Sequence, residues 1–315
     1  MKAAKILMIV NPVSGTLRTR GELFDILRIL NGAEIAPTVR FTSGRGHAAV
    51  LADEGAKSGE FEAVVCAGGD GTFHEVLTGL DRSGVSIPVG YIPAGTTNDL
   101  ANGIGLSTDL QEAAADIVSA LRDGVVTELD CGKFGDGPVF SYIASFGAFT
   151  SASYSTPQQA KNNLGYFAYL LQGIGDFFQI KPIHAVCEAG GARYEGDFIF
   201  GGVCNTFSIG KIVKLDETSV DMSDGLFEVI LVKNPKDFSE FNRLVAAAAS
   251  SDIESDMFIF FKASHVSFRL PAGTLWTLDG EKAEADGPVD ISIKKRAVKL
   301  LSKAARGGVR RDIGN

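Results

Sequence analysis

The sequence predicts an α/β chain in two parts: an N-terminal parallel sheet covered by helices on both faces, in three layers, and a C-terminal antiparallel β-sandwich. Three observations carry that expectation. Short β-type runs alternate with helical patterns through the first 130 residues, strand-like runs then follow one another with little helix between them, and polar glycine-rich segments recur where strands of the first half end.

In chain order, 5–10 reads as a strand, 21–30 as a helix, 35–42 as a strand and 46–58 as a helix. Residues 63–67 and 87–92 supply two more strands, with helices at 72–80, 98–102 and 109–123. Such alternation implies parallel strands, whose carboxyl-end loops face a ligand crevice. The polar segments fall at those ends: Asn11–Gly15, Gly68–Thr72 and Pro93–Asp99. After about residue 128 the pattern changes. Strands are expected at 139–145, 183–189, 193–205, 226–232, 257–262, 265–270, 275–278 and 289–294, with helices mainly at 157–178 and 237–250. The expected domains are therefore 1–128 and 129–297. With no internal repeat and no low-complexity linker, they should pack closely around a cleft.

The 315 residues are 45% apolar and 22% charged, which excludes disorder, coiled coil and collagen. A net charge of -8 argues against a nucleic-acid partner held by a global positive field. Charge is nevertheless segregated: 294–315 carries +7 and the rest -15, so the tail is a candidate for contact with anionic membranes. Cys66, Cys131, Cys187 and Cys204 are scattered through strand-like runs, as core residues in a reducing compartment would be. The apolar run after the basic N-terminus is too short for a signal segment, and 164–180 is interrupted by Gln172, Gly173, Gly175 and Asp176. The expectation is a cytoplasmic protein with at most peripheral membrane contact. Oligomeric state, a homodimer included, is left open.

The sharpest motif is Val64-Val65-Cys66-Ala67-Gly68-Gly69-Asp70-Gly71-Thr72 ahead of a helix. Glycines let backbone N–H groups approach a phosphate, and a helix N-terminus adds partial positive charge. Asp70 would repel phosphates unless a divalent cation intervened, which suggests Mg²⁺. Alone, the segment also reads as a tight turn. There is no GxxxxGK[ST] and no GxGxxG opening a helix, so P-loop and dinucleotide folds lose support.

Asn-Pro-x-x-Gly after the first strand, Gly-Gly-Asp-Gly-Thr with Glu75 three residues on, Pro-x-Gly-Thr-x-Asn-Asp, and a late Asp279-Gly280-Glu281 together resemble the diacylglycerol kinase catalytic-domain family, in particular its soluble bacterial lipid kinases. Gly-Gly-Asp-Gly-Thr alone is shared with NAD kinases and phosphofructokinase-like folds; the other loops break that tie. The resemblance implies ATP in the cleft, contacted by Asn11, Thr42, Gly68, Gly69, Asp70, Gly71, Thr72 and Thr96, a lipid substrate on the sandwich domain, and residues 298–315 packed back on the first domain. It implies a Mg²⁺–water network of Asp70, Asp99 and Asp130. It also implies a second, structural metal, Mg²⁺ or Ca²⁺, on the Asp224 carboxylate and the carbonyls of Asp221 and Leu226. Glu281 becomes the general base, with Asp70 and Asp99 the other catalytic residues.

Two positions depart from the family pattern. Thr16 stands where a Lys is common, with Arg18 and Arg20 the nearest cations, and His74 stands where Asn is usual. His74 is expected to be a hydrogen-bonded structural residue. Aromatic residues crowd 142–178 and read mainly as core, with a few lining an acyl groove. The resulting expectation is an ATP-dependent lipid kinase making phosphatidic acid from diacylglycerol. Phosphatidylglycerol, a sphingoid base or a soluble acceptor such as NAD are alternative acceptors, and a non-catalytic nucleotide- or lipid-binding regulator is the non-enzyme alternative.

Overall fold

A computed structural model describes residues 4–15, 18–148, 181–209, 213–214 and 220–313. β1 (Ala4–Val10) lies at the heart of a parallel sheet, flanked by β2 (Ile35–Phe41) and β3 (Ala63–Gly68), with β4 (Val89–Pro93) beyond β3. Alternate residues of these strands point to opposite faces. Ile6, Met8, Val65 and Ala67 meet α1 (Arg18–Gly32) and α5 (Leu110–Asp123) on one face. Leu7, Ile9, Val64 and Cys66 meet α2 (His47–Ser58) and α3 (Asp70–Ser83) on the other. Burial on both faces explains why the strands are near-continuous apolar runs. The short α4 (Asp99–Ile104) leads to α5, whose first N–H groups are capped by the Asp109 carboxylate.

The second half is antiparallel. β5 (Val125–Phe134), β6 (Val139–Phe140), β7 (Ile143–Gly147), β8 (Ile183–Ala189) and β9 (Ala192–Cys204) precede the two-residue pair β10 (Ser208–Ile209) and β11 (Val213–Lys214). β12 (Phe227–Lys233), α6 (Phe238–Ser250), β13 (Phe258–Ala263), β14 (His265–Arg269), β15 (Trp276–Leu278), β16 (Glu281–Ala283), β17 (Val289–Leu300) and β18 (Val309–Asp312) follow. An aromatic interior of Phe140, Phe146, Phe227, Phe268 and Trp276 fills the sandwich. The four cysteines are buried and unpaired. No helix among the described residues is long and apolar enough to cross a membrane.

The structure departs from the sequence reading at particular places. The run expected as one strand at 139–145 breaks at Ser141-Tyr142, because both backbone N–H groups turn to the Asp279 carboxylate. The strand expected to end at 294 continues to 300 past a bulge, where Arg296 adopts φ 53°, and Leu300 pairs in parallel with Val89 of β4. The tail forms β18 along β5. Position 128, chosen as a domain boundary, lies inside β5, and one apolar core runs from Leu7 and Phe73 through Leu129 to Ile230 and Leu244. The helix expected at 157–178 lies outside the described residues.

Candidate active site

The chain leaves β1 toward β2 on one side and returns to β3 on the other, so the carboxyl ends of β1 and β3 flank a switch point, where open α/β sheets bind ligands. Asn11 ends β1, and its side-chain amide donates to Thr72 Oγ1 at 3.0 Å across that gap. Gly68 and Gly69 lead into α3, with Asp70, Gly71 and Thr72 in its first turn. The third loop closes on the second: the Gly68 carbonyl accepts from the Ala94 N–H at 2.8 Å. Gly15, at φ 50°, packs so tightly that a Cβ there would lie 1.9 Å from the Ala94 carbonyl oxygen. Asn98 holds the third loop, accepting from the Gly95 N–H and donating to the Pro93 and Gly95 carbonyls. Thr42 sits just past β2 and donates its N–H to the Val10 carbonyl at 2.9 Å, while Thr96 is exposed on the third loop.

Asp70 is the carboxylate here whose proton affinity the site shifts. Its oxygens accept from the Asp99 backbone N–H at 2.8 Å and the Tyr91 hydroxyl at 3.2 Å. Burial nonetheless pushes its pKa up to about 6, helped by the nearby Asp99 and Asp279 charges. Tyr91, stacked on Phe73, is itself pushed well above its ordinary value by burial and by Asp70. Hard carboxylate oxygens in an acidic pocket fit a divalent ion, with Asp70 and Asp99 as the groups that would hold it.

The sandwich delivers the opposing wall. Asp279, buried and at φ 51°, gathers the N–H groups of Ser141, Tyr142 and Ile143, the Ser141 hydroxyl, and the His74 ring at 3.2 Å. It is thus the clamp that shapes the Asp279-Gly280-Glu281 turn, and His74 has the structural role expected for it. The turn projects Glu281 onto the second loop: a Cβ on Gly71 would lie 2.5 Å from Glu281 Oε1. Arg45 pairs with Glu281 Oε2 at 3.0 Å. Glu75 reaches back to accept from the Gly46 and Ala48 N–H groups, capping α2.

Asp130 meets the 221–226 loop. Asp130 accepts from the Gly225 and Arg296 N–H groups at 2.7 and 2.6 Å. Burial raises its pKa. Asp130 thereby braces the β17 bulge against the loop. In the loop, Asp221 Oδ1 accepts from Ser223, Asp224 Oδ1 from the Leu226 N–H, and the Asp224 carbonyl from Lys295 Nζ at 2.9 Å. Lys262 Nζ lies 3.9 Å from Asp224 Oδ2 and 3.0 Å from Glu228. Two ammonium groups thus flank the loop where the structural metal is expected: Lys262 near the Asp224 carboxylate, and Lys295 on the Asp224 carbonyl rather than on the Asp221 or Leu226 carbonyl.

Sequence reasoning missed Arg45, Tyr91 and the clamp role of Asp279. Tyr91 has a retrospective signal: a tyrosine inside an apolar strand one position along the sheet from Cys66, four residues before Asp70. Arg45 has none, since only the fold brings it to Glu281.

Glycine-rich loops at the switch point of a parallel sheet, faced by a carboxylate from a β-sandwich, define the class: a two-lobed α/β protein with its candidate site between the lobes. Comparison with known proteins then specifies it. Residues 5–134 match the diacylglycerol kinase catalytic domain. A diacylglycerol kinase of Bacillus subtilis (strain 168) is 32% identical over 282 residues, 89% of this chain and 90% of that protein. One from Staphylococcus haemolyticus (strain JCSC1435) is 28% identical, covering 89% and 82%. The crystal structure of a diacylglycerol kinase from Bacillus anthracis str. Sterne superposes with a TM-score of 0.72 at 20% identity, covering 96% and 98% of the two chains. The chain belongs to the diacylglycerol kinase catalytic domain family, and it is a lipid kinase.

Proposed function

We propose that the protein transfers the γ-phosphoryl group of ATP to the free hydroxyl of diacylglycerol, giving phosphatidic acid and ADP. The observation that carries this reading is the seating of Glu281, from the sandwich, on Gly71 beside Asp70. That arrangement puts a proton acceptor at the phosphate-binding loop, which a binding module would not need. Asn11, Thr42, Thr96 and the backbone N–H groups of Gly68 to Thr72 line the nucleotide side. Asp70 and Asp99 would hold the divalent cation, Mg²⁺ in this reading, which when bound would neutralise phosphate charge. Glu281 orients the lipid hydroxyl and takes its proton at a carboxylate oxygen as the new P–O bond forms and the bond to ADP breaks. Because the acceptor is a membrane lipid, the enzyme works as a peripheral protein at a membrane surface, in the compartment that supplies ATP.

The test is transfer of label from γ-labelled ATP to a panel of dispersed diacylglycerol, phosphatidylglycerol, a sphingoid base and NAD, with Glu281→Gln alongside. Labelled phosphatidic acid, with kcat reduced about 10²–10⁴-fold in the variant, is expected. Label on another acceptor, or full activity in Glu281→Gln, overturns the reading.

A further inference from the structure

We propose that Arg45 is a catalytic residue, the cation that stabilises the transferring phosphoryl group; the assignment rests on the kinase reading above. Arg45 lies in the connection between β2 and α2, where its backbone is fixed from both sides. Glu75 accepts the Gly46 and Ala48 N–H groups at 2.6 and 3.1 Å, and Ser43 donates its N–H to the His47 ring at 2.9 Å. Gly46, at φ 81°, makes the turn that lets α2 begin just after Arg45. From this anchored position the guanidinium crosses to the other lobe and meets Glu281 Oε2 at 3.0 Å, while Glu281 Oε1 lies over Gly71.

Stability does not explain the contact. The Arg45 side chain is 69% exposed, and exposed ion pairs contribute little to folding. Charge balance at the site does explain it. Asp70, Asp99, Asp279 and Glu281 converge here, and arriving phosphates add negative charge. A guanidinium has five N–H donors in a planar fork, so Arg45 can reach phosphate oxygens from the position it already occupies. In transfer, charge spreads over the equatorial oxygens of a loose transition state, and a positioned arginine stabilises it. As the phosphates draw the guanidinium, the Glu281 oxygen it held becomes the acceptor for the hydroxyl proton, and the electron pair of the broken P–O bond leaves on ADP.

The test uses Arg45→Ala, Arg45→Lys and Arg45→Ala/Glu281→Gln in two measurements. In label transfer to dispersed diacylglycerol, Arg45→Ala is expected to lower kcat about 10²–10³-fold with the lipid KM and the melting temperature nearly unchanged, and Arg45→Lys to recover part of the loss. Added to Glu281→Gln, it should cost at least a further ~10-fold, because it acts on different atoms. In binding, Arg45→Ala should weaken a non-hydrolysable ATP analogue with Mg²⁺ about tenfold and ADP hardly at all. That measurement needs no lipid, so the assignment stands or falls on it even if the lipid acceptor is wrong. Retained preference for the triphosphate, or kcat within threefold of wild type, overturns the assignment. So does a double variant no worse than Glu281→Gln, since Arg45 would then only hold Glu281.

Discussion

Asp70 is a carboxylate that the fold keeps charged at a cost. Its pKa in the folded protein is about 6 against 3.8 in the unfolded chain, so between those values the folded state binds more protons. Stability therefore falls as pH rises through that window, and above it the ionised group costs on the order of 1–3 kcal/mol unless a cation relieves it. Asp70→Asn should melt higher than wild type at pH 7.5 without divalent metal, the two curves converging toward pH 4, while losing most activity. Calorimetry across pH checks this, and a lower melting point for the variant at pH 7.5 would contradict it. Gly71 is constrained from outside: a methyl there meets Glu281 Oε1 at 2.5 Å. Gly71→Ala should thus displace Glu281 and lower kcat about 10²-fold with the fold intact, as ångström-scale misplacements do; kcat within threefold would show that Glu281 moves aside freely. The motif residues of this site were legible because each local pattern needs its own glycine, amide or carboxylate. Arg45, Tyr91 and the Asp279 clamp were not, since their partners lie 236, 21 and up to 205 positions away and no local pattern encodes the pairing.

Elements with alternating or continuous apolar runs were legible as strands and helices, whereas those defined by a partner were not. β5 carries Glu128, Asp130 and Lys133 and does not read as a core strand, yet β17 and β18 pair with it on both sides. β18 contains Val309-Arg310-Arg311-Asp312, which reads as a charged tail until Arg311 meets the buried Glu128 at 2.7 Å. Lys294 and Lys303 likewise pair with Asp81 and Asp123, so part of the basic stretch serves the fold. The 221–226 loop follows the same logic, with Lys295 on the Asp224 carbonyl and Lys262 between Asp224 and Glu228. Burial raises the Glu228 pKa to about 7, with Lys262 opposing the shift. A divalent ion entering there would face two ammonium groups. In the Asp70→Asn background, which removes a carboxylate proposed to hold the other metal, added Mg²⁺ or Ca²⁺ should leave the melting temperature unchanged, whereas Lys262→Met/Lys295→Met should make it rise with metal. A metal-dependent rise with both lysines present would restore the structural metal at this loop.

At the scale of the molecule the two lobes share more than a cleft. β17 pairs with β14 of the sandwich, with β5, and through Leu300 with β4 of the parallel sheet, so hydrogen-bonded strands run unbroken from one lobe to the other. One apolar core includes residues from both. Asp81 of α3 adds a polar tie: although burial opposes it, hydrogen bonds from Lys133 and Lys294 hold its carboxyl below the ordinary value. The change from strand–helix alternation to consecutive strands showed that two architectures meet near residue 128. It did not show that the strands at the junction belong to both, because periodicity reports which face is buried and not what buries it. Chains of this length often unfold in steps. Here, removing one lobe would expose the apolar face of the other and orphan the β17 ladder, so unfolding is expected to be one cooperative transition by calorimetry, with circular dichroism and tryptophan fluorescence from Trp276 melting together. Asp81→Asn should lower that single transition by a few degrees without splitting it. Two resolved transitions, with the Trp276 signal surviving the first, would mean that the lobes are independent folding units joined only by the chain.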